Sequence, residues 1–253
     1  MGIKEMLIGI KCPRTKKLAN CQKCKSPCLP VPLMMSLLSE KEFKPNEYHL
    51  TELSNPLRIT YLQRKYNYMV EIQDVENVWI GTAIHYYISQ FKSKDYIADP
   101  DTAGKVEVDK GIFITLTPDL YDIKRKVLYD FKVVKTYEIE KIKDNGLDSK
   151  YVYQLNGYRE FKFPDAKKLI LVFILKDYTI KTRYEKGINS PFVEVEVPIV
   201  EEVKDELINR AKELHKALTK NKPPKKCSPE ENWNGKRCDF YCPVNKFCRE
   251  LEK

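Results

Sequence analysis

The chain has 253 residues, 42% of them hydrophobic and 32% charged, with 45 Lys and Arg against 36 Asp and Glu for a formal net charge of +9. That length buries one substantial core, and no apolar run approaches the roughly 20 residues of a membrane helix. The first residues lack the long apolar stretch of a secretory signal, so the sequence reads as a soluble, cytoplasmic, moderately basic protein suited to a polyanionic partner.

Eight cysteines without export argue for metal ligation in a reducing compartment rather than for disulfides. Four of them (Cys12, Cys21, Cys24 and Cys28) fall in the first thirty residues. Pro27, Pro30 and Pro32 then oppose a helix there. Asn55-Pro56 starts an expected helix through about Tyr68, and its stretch Tyr61-Leu62-Gln63-Arg64-Lys65 is basic and aromatic. A second helix is expected from Trp79 to Phe91. Short β-prone runs follow at 105–108, 112–116 and 127–134, then a helix near 151–161. Leu169 to Leu175 is a continuous apolar run, as in a strand covered on both faces. Phe192 to Val197 alternates and reads as half-exposed. Val200, Val203, Leu207, Ala211, Leu214 and Leu218 stand at helical spacing. A basic linker, Lys220 to Lys226, leads to Cys227, Cys238, Cys242 and Cys248. The order predicts an α/β fold, a mixed central sheet flanked by helices. It divides into a Cys-rich segment (1–50), a core (51–222) and a Cys-rich C-terminal segment (223–253).

The chemistry concentrates in Thr117-Pro118-Asp119 and Tyr129-Asp130-Phe131-Lys132. A hairpin turning near Lys124-Arg125 sets positions 119 and 130 opposite each other, with Cβ atoms roughly 5 Å apart. The period of two returns Lys132 to the face of Asp130. Two carboxylates suit Mg2+ or Mn2+, which favour oxygen ligands. The Phe131 carbonyl between the two site residues is a further neutral oxygen ligand. Such an ion activates water and neutralises charge on a phosphate, while a nearby lysine orients that water.

Pro118-Asp119 with Asp130-Phe131-Lys132 matches the motif of the PD-(D/E)xK nuclease superfamily. Gly81-Thr82-Ala83-Ile84-His85 resembles the helical G-x-x-x-H segment of its RecB-like branch. Tyr151-Val152-Tyr153-Gln154-Leu155-Asn156-Gly157-Tyr158 resembles that branch's Y-x-x-Q-x-x-x-Y segment. The resemblance covers roughly residues 55 to 250 and points to the iron–sulfur exonucleases of CRISPR adaptation and helicase–nuclease repair complexes. It implies that His85, Asp119 and Asp130 bind the metal, that Lys132 handles the nucleophilic water, and that Gln154 and Tyr158 support the site or the DNA. The implied activity is exonucleolytic, on single-stranded or frayed DNA ends, in CRISPR adaptation, recombination and repair, or viral DNA processing. The implied partners are a CRISPR adaptation complex or a helicase.

Four thiolates suit Zn2+ or an iron–sulfur cluster alike. The resemblance favours a structural [4Fe–4S] cluster at the C-terminal group. Related chains take one ligand from an N-terminal helix, which here, at Tyr61 to Lys65, lacks cysteine. Either Cys227 or Cys12 therefore completes the set. Cys12, Cys21, Cys24 and Cys28, with a C-x2-C core, read as a zinc knuckle. Arg14, Lys16, Lys17, Lys236 and Arg237 are expected along a nucleic-acid backbone, with Tyr66, Tyr68 and Phe240 stacking on bases. The competing readings are a non-catalytic nucleic-acid-binding metal protein and a nuclease subunit active only in a complex.

Overall fold

The computed structural model describes residues 4–251 except 13, 21, 22, 27, 29, 31, 34–38 and 92. Three sheets and the helices packed on them make a mixed α/β fold. No helix among the described residues is long and apolar enough to cross a membrane.

The central sheet grows from the most apolar run in the chain. Strand β10 (Lys168–Leu175) buries Leu169, Leu171, Phe173 and Leu175 on one face and Ile170 on the other, with Val172 and Ile174 half-buried. It pairs in parallel with β9 (Val127–Val134) and antiparallel with β11 (Phe192–Val197) at the sheet's edge. The other side of β9 pairs with β8 (Leu120–Asp122), and β8 with β5 (Tyr96–Ala98). Parallel pairing of β9 with β10 demands a crossover, which is made by α4 (Thr136–Asn145) and α5 (Ser149–Phe161). The sequence pattern foresaw α5, whereas α4 is additional. Asp177 accepts hydrogen bonds from the Thr136 amide and hydroxyl at 2.7 Å each and so anchors the entry to α4.

A second, three-stranded sheet sets β7 (Ile112–Leu116) between β3 (Glu47–His49) and β6 (Gly104–Asp109). The 112–116 run therefore is not the partner of 127–134; the intervening β8 takes that place. A third sheet joins β1 (Lys4–Ile10) to β2 (Ser39–Phe43) and, in parallel, to β4 (Tyr68–Val70).

Helix α2 (Leu57–Lys65) begins one residue past the expected proline start and ends before Tyr68, which enters β4. Its basic stretch faces inward. Arg64 is buried against Glu52 at 2.6 Å, donates to the Glu47 carbonyl at 2.7 Å and stacks over the Phe43 and Tyr48 rings. Burial raises the Tyr48 and Tyr68 hydroxyls to about 12. Helix α3 (Ile72–Ser89) starts seven residues before the expected Trp79, and Ile72, Val75 and Trp79 stand at the helical spacing i, i+3, i+7 in its first turns.

The core lies where α5, α1 (Leu50–Leu53) and α7 (Val203–Thr219) meet. Leu50, Leu155, Leu207 and Leu214 are fully enclosed there. Gly157 lets the helices close: a Cβ at this position would stand 2.6 Å from Leu50 and 2.7 Å from Leu207. Asn156 beside it spans two elements, donating to the Pro198 carbonyl and accepting from the Val200 amide.

Candidate active site

The site begins with the hairpin of β8 and β9. Its last pairs are Leu120 with Tyr129, Tyr121 with Leu128 and Asp122 with Val127. Continuing that register by one step sets Asp119 opposite Asp130, as the sequence spacing predicts. The turn contains neither Gly nor Asn; instead Lys126 takes the left-handed conformation, φ 58°, and Asp122 accepts the Arg125 amide at 2.8 Å. An Asp side chain bonding its own turn offsets part of the strain in such a residue.

Each acid is held by a neighbour. The Phe131 amide donates to Asp119 Oδ2 at 2.7 Å. In an extended strand the N–H and C=O of one residue face the same side, so the Phe131 carbonyl also faces Asp119. Lys132 Nζ lies 2.5 Å from Asp130 Oδ2. Gln154 on α5 donates to Asp130 Oδ1 at 2.8 Å and to the Tyr158 hydroxyl, one turn further, at 2.9 Å. His85 on α3 brings its Nδ1 to 3.3 Å from Asp119 Oδ1. The structure thus brings His85, Asp119, Asp130, Phe131, Lys132, Gln154 and Tyr158 to one place, from two helices and one hairpin.

Burial, and then the adjacent Asp130 charge, push the Asp119 carboxyl well above its usual range, against the pull of Lys132. Burial, followed by the Asp130 and Asp119 charges, pushes the Tyr158 hydroxyl up as well, so it remains a neutral phenol. The buried Asp130 Oδ2 accepts no aligned hydrogen bond among the described residues, although the Lys132 ammonium stands against it. Two enclosed carboxyl groups, one of them ion-paired to Lys132, are oxygen donors of the kind a divalent cation takes. Hard oxygens beside an imidazole fit Mg2+ or Mn2+. Among the described residues, no three His, Cys, Asp or Glu side chains stand at metal-ligand spacing.

Asp99 joins the site without a sequence signal. Its amide donates to the Asp119 carbonyl at 3.2 Å, and its charge contributes to the rise at both Asp119 and Tyr158. The buried Thr102 hydroxyl bonds the Pro118 carbonyl and fixes the loop that presents Asp119.

Several residues expected on a nucleic-acid surface are engaged elsewhere. Tyr68 is buried, and Tyr66 stacks on Phe247 with centroids 4.6 Å apart. Arg237 bonds the Glu231 carbonyl and Asn55, and lies over Trp233. Arg14 donates to the Ser26 carbonyl. Phe240 remains exposed, together with Lys16, Lys17 and Lys236.

Of the C-terminal cysteines, Cys238 lies on α8 (Lys236–Phe240) and Cys248 on α9 (Asn245–Glu250). Arg58 of α2 donates to Cys248 Sγ at 3.1 Å and to the Pro224 carbonyl at 2.8 Å. The Cys227 thiol is pushed up to about 11, first by burial and then by Glu231, with Cys238 and Cys242 adding to the rise. Cys242 rises by burial, and Cys238 and Cys248 add to it. Cys227 thus lies within electrostatic reach of Cys238 and Cys242, and Cys242 within reach of Cys238 and Cys248. At the other end Cys12, Cys24 and Cys28 are described, whereas Cys21 lies outside the described residues. Hydrogen bonds from Thr15 and the Arg14 amide lower the Cys12 thiol.

No protein-family profile and no curated protein sequence matches the chain. Among solved structures it is similar to SSO0001 at 18% identity and a TM-score of 0.52, over 81% of this chain and 87% of that one. That likeness is one of fold. An alkaline exonuclease (LHK-Exo) from Laribacter hongkongensis overlaps at 12% identity and a TM-score of 0.43, over 77% of this chain and 95% of that one. A phage-related exonuclease from Haemophilus somnus 129PT overlaps at 17% identity and 0.32, over 58% and 70%. Both overlaps are too loose to bear on this chain's activity.

Proposed function

We propose that the chain is a Mg2+- or Mn2+-dependent nuclease that hydrolyses DNA phosphodiester bonds, working from single-stranded or frayed ends. The convergence of His85, Asp119, Asp130 and Lys132, from a helix and a hairpin, carries this reading. Asp119, Asp130, His85 and the Phe131 carbonyl would hold the ion, which when bound supplies Lewis-acid charge to the phosphate and acidity to its water. Lys132, part-exposed beside Asp130, holds the attacking water in line and stabilises its deprotonated form. Gln154 fixes the Asp130 carboxylate in one orientation, and Tyr158 fixes Gln154. The Phe131 amide does the same for Asp119. Asp99 keeps the carboxyl site electronegative, which favours a cation there.

The four C-terminal cysteines are proposed to hold a [4Fe–4S] cluster as a structural staple, with Cys227 as fourth ligand. The upward push on Cys227 and Cys242 from neighbouring cysteines and the hydrogen bond from Arg58 to Cys248 support that assignment. Cys12, Cys21, Cys24 and Cys28 are proposed to hold Zn2+. In the cell the enzyme would serve CRISPR adaptation, recombination and repair, or viral DNA processing.

The test is degradation of end-labelled single-stranded DNA with Mn2+ by the wild-type protein and by Asp130→Ala. Loss of several kcal/mol of charge stabilisation corresponds to a rate fall of roughly a thousandfold or more. Equal degradation by both proteins would sink the assignment.

A further inference from the structure

Helix α3, which carries His85, is apolar on every side. Ile80, Ile84 and Ile88 are half-buried against the fold, whereas Val78, Trp79, Tyr86 and Tyr87 are 64%, 43%, 62% and 74% exposed. A helix of that character belongs in an interior, yet none of its described residues is fully buried. From Asn77 to Phe91 no Asp, Glu, Lys or Arg occurs, in a chain that is 32% charged. Val78, Thr82 and Tyr86 form one row along the helix and Trp79, Ala83 and Tyr87 the next, by the spacing of four, and all six are exposed. Away from this helix and Phe91 at its end, exposed aromatic rings among the described residues stand singly or in the pair Phe240 and Tyr241. Here three rings and a valine share one uncharged face.

The face is complementary to itself. Thr82 and Ala83 lie at its middle and are small enough to let two backbones approach. Val78 and Trp79 stand one turn before them, and Tyr86 and Tyr87 one turn after. When a second copy is turned end for end about a twofold axis through Thr82 and Ala83, Trp79 meets Tyr86 and Val78 meets Tyr87, each contact made twice. With each aromatic ring carrying ~150–250 Å2, the stripe offers on the order of 600 Å2 per copy and about 1,200 Å2 for a pair, the size at which specific interfaces begin. Tyr and Trp without charged neighbours are also the composition of an interface core. A nucleic-acid strand is the poorer occupant, because its phosphates call for cations and this face holds none.

We propose that the exposed face of α3 docks the same face of a second copy of this chain, giving a twofold dimer with its axis at Thr82 and Ala83. The helix that brings His85 to Asp119 is then held from outside by its twin as well as from within by the sheet. The pairing does not depend on hydrolysis, so mass rather than cleavage reads it.

Sedimentation of the full-length protein at about 10 µM, above the roughly micromolar Kd of a pair of this size, gives twice the chain mass of 29.8 kDa. Ala83→Arg, at an exposed position, sets two like charges against each other at the axis and weakens association roughly a hundredfold or more with an unchanged circular dichroism spectrum. Trp79→Lys and Tyr86→Glu are each monomeric, and mixing the two restores a dimer, because Lys then meets Glu across one contact while the other keeps its native pair. A monomeric wild type overturns the dimer. So does a dimer indifferent to Ala83→Arg, or one that forms in neither the single variants nor their mixture. Hydroxyl-radical footprinting of Trp79, Tyr86 and Tyr87 in a monomeric wild type then reassigns the face. Shielding that appears only with single-stranded DNA gives it to nucleic acid, and shielding without additions gives it to another part of the same chain; both overturn the dimer.

Discussion

Replacing Asp119 by Asn should make the metal-free protein more stable while removing its activity. Asp119 is buried beside Asp130, and burial plus that neighbouring charge favour its protonated form. A carboxyl whose folded value lies above its usual 3.8 binds more protons folded than unfolded, so stability falls as pH rises between those two values. Above its folded value the ionised Asp119 is a buried charge beside Asp130, a cost that Asn lacks. Asn keeps an oxygen for the Phe131 amide, and its amide group can face His85 Nδ1, which now lies 3.3 Å from Oδ1.

Relief of a strained functional residue is typically worth about 0.5–2 kcal/mol, which for a chain of this length raises Tm by roughly 1–8 °C. Scanning calorimetry in EDTA from about pH 4 to pH 9 measures it, and the advantage of Asn should shrink toward acid as wild-type Asp119 takes up its proton. Saturating Mn2+ should reverse the order. A ligand at a hundred times its Kd stabilises the folded state by about 2.7 kcal/mol, and the variant lacks one carboxylate to receive it. An Asp119→Asn variant less stable than wild type in EDTA near pH 8, or an advantage that does not vary with pH, would refute this account of the site.

Three other expectations follow from the packing, the thiols and the proposed cluster. Gly157→Ala forces a methyl against Leu50 and Leu207, where the ideal Cβ meets carbon at 2.6 and 2.7 Å; overpacking of this kind typically lowers stability by about 1–3 kcal/mol, read as a lower Tm with an unchanged gain from Mn2+. In metal-free protein near neutral pH, iodoacetamide followed by mass spectrometry should label Cys12, whose thiol is lowered, well before Cys227, which is pushed up to about 11. Anaerobically purified protein should contain iron and protect the four C-terminal cysteines from the reagent; colourless, iron-free protein with those thiols freely labelled would refute the cluster.

How much was legible depends on how local the cause is. The strand at 168–175 announces itself because a run apolar on both faces has few alternatives at that length. The pairing of Asp119 with Asp130 is legible for a similar reason: it needs only a short turn and the two-residue period of a strand. The device that makes the turn was hidden, since Lys126 adopts a conformation that sequence rules reserve for Gly or Asn. Arg64 shows the opposite failure. Read locally it belongs to a basic, aromatic surface, yet Glu52, twelve residues earlier, draws it inside. An ion pair between separate turns leaves no periodic trace.

The same division runs through the site. Asp119, Asp130 and Lys132 share one hairpin, so spacing alone brings them together, while His85 and Gln154 arrive on helices that must be packed by the rest of the fold. Their positions were legible only because short patterns around them resemble a known arrangement. Asp99 has neither advantage. It follows a three-residue strand that exists because β8 is there to pair with it. The charge environment of Asp119 is therefore set by tertiary structure as well as by its own hairpin.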